Sequence, residues 1–376
     1  MPYAELSSVQ HRLQLGEPLP FNVRDADHTL LLARGQALHS AEQLQALFTR
    51  GAVVDIAELL QPADLVRHAP RTQLPGLWAG CMAQVSAALR ADPGPGYEGA
   101  LDDAASPVQA LIERDPDLAI FQVLRHGAAE DTAYGVHRSL QTAITGYLVA
   151  QRLGWPAEQS ARLFKVALTM NISMLELQGQ LARQAVPPTP QQRLALQSHP
   201  MRSVQMLQKA GIDDPDWLEA VLHHHEQEDG QGYPSGRAEV GELATLARRA
   251  DVYTSKLASR ATREALAADQ AGRQMFMQDP GHPMTAALVR EFGIYPPGSY
   301  VRLSTGELGI VVARGATITT PVVACLTTGS GASLAEPTRR STDGKACTVV
   351  AAVGEAQWRQ RPSLPLDRLA ALVTAG

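Results

Sequence analysis

Between Tyr134 and about Arg273 the apolar residues recur at helical intervals almost without interruption. The pattern breaks at Trp155-Pro156, at Pro187 to Pro190, at Asp213 to Pro215 and at Gly232-Tyr233-Pro234, all residue types that end helices or set turns. Between the breaks lie four helix candidates: Glu158 to Leu168, Gln191 to Ala210, Trp217 to His224 and Leu243 to Leu257. Amphipathic helices on short connections can bury their apolar faces only against one another, so a helical bundle follows.

The flanks read differently. Leu19 to Val23 and Thr29 to Leu32 are strand-like and separated by the turn-former Asp25-Ala26-Asp27. Ser40 is placed to cap a helix running through Phe48, with Gly51 just past its end and Val53-Val54 returning to a sheet. Leu77 to Leu89 and Val108 to Leu124 have helical spacing. After Pro280, Tyr300 to Leu303, Gly309 to Val312, Pro321 to Leu326 and Cys347 to Ala351 are short β-rich runs. The expected fold is mainly α: a helical bundle core with a small α/β N-terminal module and a small β-rich C-terminal domain. The expected boundaries are 1–60 for the accessory module, 61–120 for a helical connector suited to homodimer contacts, 121–275 for the core and 290–376 for the C-terminal domain.

The 376 residues are 45% hydrophobic, enough for two or three cores. With 33 basic and 38 acidic residues the net charge is −5 and no basic stripe stands out, which argues against binding a nucleic-acid duplex. Three widely spaced cysteines, Cys81, Cys325 and Cys347, fit a reducing compartment. No secretory leader and no apolar run of about 18 residues is evident, so a cytoplasmic chain without a membrane span is expected.

Within the helical region stands His223-His224-His225-Glu226-Gln227-Glu228-Asp229-Gly230-Gln231-Gly232-Tyr233-Pro234. Neutral imidazole is a common metal ligand, and consecutive helical residues diverge by about 100°. Adjacent histidines at a helix end can therefore flank one cavity. A histidine-rich helix end closed by a glycine-rich turn has the makings of half a metal site.

The run from His224 to Pro234 matches in full the pattern His-His-Glu, two residues, Asp-Gly-x-Gly-Tyr-Pro, and so resembles the HD-GYP family of HD phosphohydrolases. His137, His199-Pro200, Asp251 and Arg260 follow the family's order, and the resemblance covers roughly residues 120 to 275. It implies an HD-type helical bundle and metal-dependent hydrolysis of cyclic di-GMP. It further implies metal ligation by His137, His199, His224, His225 and Asp251, and phosphate binding by Arg260. The resemblance also implies that the turn contacts diguanylate cyclase-type signalling proteins.

One departure is severe. Where the family carries its His-Asp dipeptide, this chain has Met170-Asn171, 29 positions before His199, and no histidine anywhere in the chain is followed by aspartate. A bimetal centre needs a carboxylate to bridge the cations, whereas asparagine is neutral and a thioether is a soft ligand ill suited to Fe, Mn or Mg. Ala133 also lacks the carboxylate of family members that hold a third metal, and Ser173 and Met174 replace a glycine and a phosphate-contacting lysine.

These residues imply one divalent ion (Fe, Mn or Zn) or none. Three functions are compatible with them: an impaired signalling protein that binds cyclic di-GMP or a partner, an active phosphodiesterase with a rearranged metal site, and a non-enzymatic scaffold or dimerisation protein. Asp229, Gly230, Gly232, Tyr233 and Pro234 are expected to form a recognition surface, with Tyr233 standing out from a rigid turn, and His223 is expected at the surface.

Overall fold

The computed structural model of the chain describes all residues except 1, 2, 14, 60, 61, 95, 126–130, 355–363 and 376. The chain forms two compact units, Met1–His68 and Ala69–Gly376. The boundary expected between residues 60 and 61 falls outside the described residues.

The first unit holds β1 (Tyr3–Glu5), β2 (Val23–Arg24), β3 (Leu30–Leu32), α1 (Ala41–Thr49), β4 (Val53–Asp55), α2 (Ile56–Leu59) and α3 (Pro62–His68). Its strands form an antiparallel sheet in the order β1-β4-β2-β3. Ser40 caps α1 by accepting from Gln43 N, satisfying one of the orphan donors of the first turn. Leu6, Phe21, Val23, Leu38 and Val54 make the core of the unit.

The second unit begins with α4 (Leu74–Arg90), α5 (Tyr97–Arg114) and α6 (Pro116–Arg125). The run expected as one helix from Val108 to Leu124 breaks at Asp115-Pro116, where Asp115 Oδ1 accepts from Leu118 N at 3.0 Å and starts a new helix. Next come α7 (Asp131–Arg152), α8 (Ala157–Thr169), α9 (Leu175–Arg183), α10 (Pro190–Lys209), α11 (Pro215–His223), α12 (Glu242–Leu257), α13 (Ala268–Gln278) and α14 (Pro283–Phe292). Helix α7 is the spine, packing against α8, α9 and α12. It crosses α9 so closely that a Cβ on Gly135 would lie 2.3 Å from the Leu175 carbonyl oxygen.

The chain then enters β5 (Tyr300–Leu303), β6 (Leu308–Ala313), β7 (Val322–Thr327), β8 (Ser333–Ser341) and β9 (Val349–Ala352), an antiparallel sheet in the order β8-β7-β6-β5-β9. Helix α15 (Leu366–Thr374) closes the unit and packs on α4, α6 and β6. The sheet is tied to the helices by charge: Arg314 pairs with Asp117 of α6 and Glu291 of α14, both at 2.5 Å. No helix among the described residues is long and apolar enough to cross a membrane.

The α7–α9 crossing has a direct test. Gly135→Ala must push α9 away or bend α7, and overpacking of this kind costs about 1–3 kcal/mol. Urea denaturation should show that loss; an unchanged midpoint would mean the crossing is loose.

Candidate metal centre

Three imidazoles converge where the C-terminal end of α11 meets the middle of α10. His199 and His224 are fully buried, and the ligand nitrogens of His199, His224 and His225 all lie within 4.8 Å of one another. The rings are held by backbone. His199 Nδ1 donates to Leu196 O at 2.5 Å and His224 Nδ1 donates to Val221 O at 2.7 Å. A carbonyl only accepts, so each Nδ1 carries the proton and each Nε2 is a bare lone pair. Those two Nε2 atoms face each other at 3.0 Å. Two facing lone pairs repel unless a cation stands by them, and an imidazole anchored through its other nitrogen is the usual support for a metal ligand.

Burial also keeps the trio neutral. Loss of hydration is the largest cause lowering the pKa of all three histidines to about 3. Their neighbours reinforce it: His224 acts on His199, His225 on His224, and His199 and Arg248 on His225. The Asp251 carboxylate opposes the shift at His199 and His224 and is outweighed.

The turn after the histidines is built around them. Glu226 is buried and its carboxylate accepts from Ser235 N at 2.6 Å and Arg237 N at 3.2 Å, drawing the end of the turn back to its start. Gly232 crosses Glu226-Gln227 where a Cβ would fall 2.4 Å from Gln227 N, so no other residue fits. Tyr233 lies over His225 in a stacked arrangement, ring centroids 4.6 Å apart and planes 18° off parallel. The expectation that Tyr233 stands out as an anchor is thereby corrected: the ring is half-buried and caps the imidazoles. Of the five residues expected to form a recognition surface, only Asp229 and Pro234 are exposed. His223, expected at the surface, is buried and sits 3.8 Å from Glu219. With Glu219 and Ala220 it lines a pocket against Gly241, Glu242 and Leu243 at the start of α12.

Not every expected ligand joins the cluster. His137 lines a small pocket with Trp78, Met82, Gln122, Leu140, Gln141 and Ile144, and does not join the histidine trio. Its neighbour Arg138 is the residue that reaches Asp251, with Nη2 donating to Asp251 Oδ1 at 2.8 Å. Sequence reasoning missed Arg138; the available signal was an arginine on a mostly apolar helix face, which must find a carboxylate when buried. Arg260 is exposed and donates to Ser255 Oγ at 3.0 Å, while Arg263 Nη2 donates to Ser255 O at 2.5 Å. The side chain of Ala133 lies outside the described residues.

Met170 and Asn171 are fully buried at the end of α8. Ser173 Oγ donates to the His199 carbonyl at 3.0 Å and pins this segment against α10. Asn171 Oδ1 is buried with no hydrogen-bond partner among the described residues. The donor set thus fits one ion held by His199, His224 and His225. No carboxylate joins these three nitrogens: Asn171 stands at the end of α8, and Asp251 lies outside the cluster with Oδ1 accepting from Arg138.

The depressed histidine pKa values set a pH dependence. Unfolded imidazoles protonate below about 6.5, the native trio only near 3, so the unfolded state binds more protons between these values. Stability is therefore present above pH 6.5 and lost as pH falls toward 3, by at most about 1.4 kcal/mol per pH unit for each histidine. Urea denaturation in chelator should show this slope, and His224→Gln should flatten it by about one histidine's share. A slope indifferent to that substitution would contradict the neutral buried trio.

Residues 126–277 match the model of a family described as an HD domain. Over 131 residues the chain is 35% identical to the cyclic di-GMP phosphodiesterase PA4108 of Pseudomonas aeruginosa, a match that covers 33% of this chain and 31% of that relative. The solved structure of Bd1817, described as an HDG"Y"P protein from Bdellovibrio bacteriovorus, superposes with a TM-score of 0.48 at 16% identity, covering 76% of this chain and 97% of that one. The family match, the relative's identity and the unbroken run from His224 to Pro234 together make residues 126–277 an HD domain of the HD-GYP family.

Proposed function

We propose that this chain is a cyclic di-GMP signalling protein whose HD-GYP centre binds the nucleotide and turns it over far more slowly than an intact centre would. The observation that carries the reading is the fully buried pair Met170-Asn171 beside a histidine trio that has no carboxylate of its own. Phosphodiester hydrolysis at such a centre calls for a nucleophilic hydroxide shared between ions and for positive charge on the developing oxyanions. A single ion on His199, His224 and His225 would still polarise a phosphate oxygen. It would lack the second ion that a shared hydroxide requires.

The nucleotide side of the reading rests on cations. Arg260 is exposed, and Arg263 stands close enough to Arg260 and Arg138 for both to lower its pKa after burial has done so. Two guanidiniums on one short segment suit the phosphates of a cyclic dinucleotide. A partner of the diguanylate cyclase type would dock beside the exposed Asp229 and Pro234.

Two measurements on the purified protein test the proposal. Turnover of cyclic di-GMP with Mn, or with Fe under anaerobic conditions, should fall about a thousandfold or more below an intact family member, which corresponds to about 4 kcal/mol of lost transition-state stabilisation. Calorimetric titration should still show binding, weakened about tenfold by Arg260→Ala. Turnover near that of an intact enzyme would refute the impaired centre; absence of binding would favour a scaffold.

A further inference from the structure

Arg138 is 4% exposed and forms an ion pair with Asp251. Nη2 donates to Asp251 Oδ1 at 2.8 Å and to the Asp251 backbone carbonyl at 3.0 Å. The same carboxylate oxygen has Thr142 Oγ1 at 3.4 Å, and Thr142 Oγ1 in turn lies 3.2 Å from Thr254 Oγ1. Nη1 is buried and has no hydrogen-bond partner among the described residues. Asp251 is thus held from α7, outside the cluster of His199, His224 and His225 but near enough for its charge to act on His199 and His224.

A guanidinium keeps its proton at every working pH, so this is a fixed cation. The Oδ1 lone pair that accepts this N–H is not available to an ion, which leaves Asp251 chiefly Oδ2 to offer. A divalent ion drawn to Asp251 would also stand against a charge that cannot be discharged by proton loss. Without either cation, Asp251 would be a half-buried carboxylate with no counter-charge.

We propose that Arg138 is a built-in replacement for the second metal ion: its guanidinium neutralises Asp251 and restricts the centre to one ion, held by His199, His224 and His225. The proposal deepens the impaired-centre reading and rests on it for the location of the site. It also separates two causes of impairment. Met170 and Asn171 remove ligands, whereas Arg138 occupies a ligand that is still present.

Protein loaded with Mn and freed of excess ion is counted by mass spectrometry and examined by electron paramagnetic resonance. Wild type is expected to carry no more than one ion per chain, with the six-line signal of an isolated Mn, and Asp251→Asn should leave the count unchanged. Met170→His with Asn171→Asp should stay at one ion, and adding Arg138→Met should raise it to two. An exchange-coupled pair in wild type, a lower count in Asp251→Asn, or a second ion in the double variant with Arg138 intact would each overturn the proposal. So would a folded triple variant that stays at one ion. If the triple variant does not fold, the double variant decides: one ion with the His-Asp pair restored supports the proposal, and a second ion with Arg138 intact overturns it. Two ions without turnover would remove this inference and leave the impaired centre standing. One ion with full turnover would do the reverse.

Discussion

A buried charge pair between α7 and α12 organises the functional half of the molecule. Arg138 and Asp251 are the only link of that kind between these two helices among the described ion pairs, and the Thr142–Thr254 contact lies beside it. Removing one partner of such a pair costs about 3–5 kcal/mol because the other charge is stranded in a medium that solvates it poorly. The pair therefore fixes the relative position and rotation of two long helices. Helix α12 in turn carries Arg249, buried and paired with Glu228 at 2.8 Å and Asp279 at 2.5 Å. Through Glu228 that second cation steadies the loop that follows the histidines.

The histidine trio depends on this frame without belonging to it. His199 comes from the middle of α10, and His224 and His225 from the end of α11. Helix α11 is anchored by Trp217, whose Nε1 donates to Thr169 Oγ1 at 3.0 Å. That bond runs to the residue just before Met170. The segment that has lost its ligands is thus well packed on both sides, by Trp217 at one end and by the Ser173–His199 contact at the other.

Much of the helical body was legible because its apolar periodicity is strong and its breaks are chemically distinct. Pro190 and Pro215 begin helices and Ser40 caps one, as their residue types dictate. Strand β8 was not legible, since most of its residues are exposed and show no alternation to read. Helix α14 was hidden between Gly281-His282-Pro283 and Pro296-Pro297, breakers that give the whole stretch the texture of a loop. At the site, the histidine trio followed from motif spacing, but Arg138 did not. It stands one residue after a histidine that fills a family position, and one residue turns a helix by about 100°. Spacing alone cannot say which of two neighbours faces the cavity. Tyr233 was misplaced for a related reason: a rigid turn fixes where an aromatic points, but only the surrounding fold determines whether that direction is solvent or another ring.

The most direct test is a crystal structure of the protein grown with Mn or Zn, with the ions located by anomalous scattering. One peak is expected, bounded by His199, His224 and His225, with the Arg138 guanidinium still on Asp251. Two peaks with Asp251 coordinating an ion and Arg138 displaced would contradict the single-ion centre and, with it, the physical basis for impaired turnover.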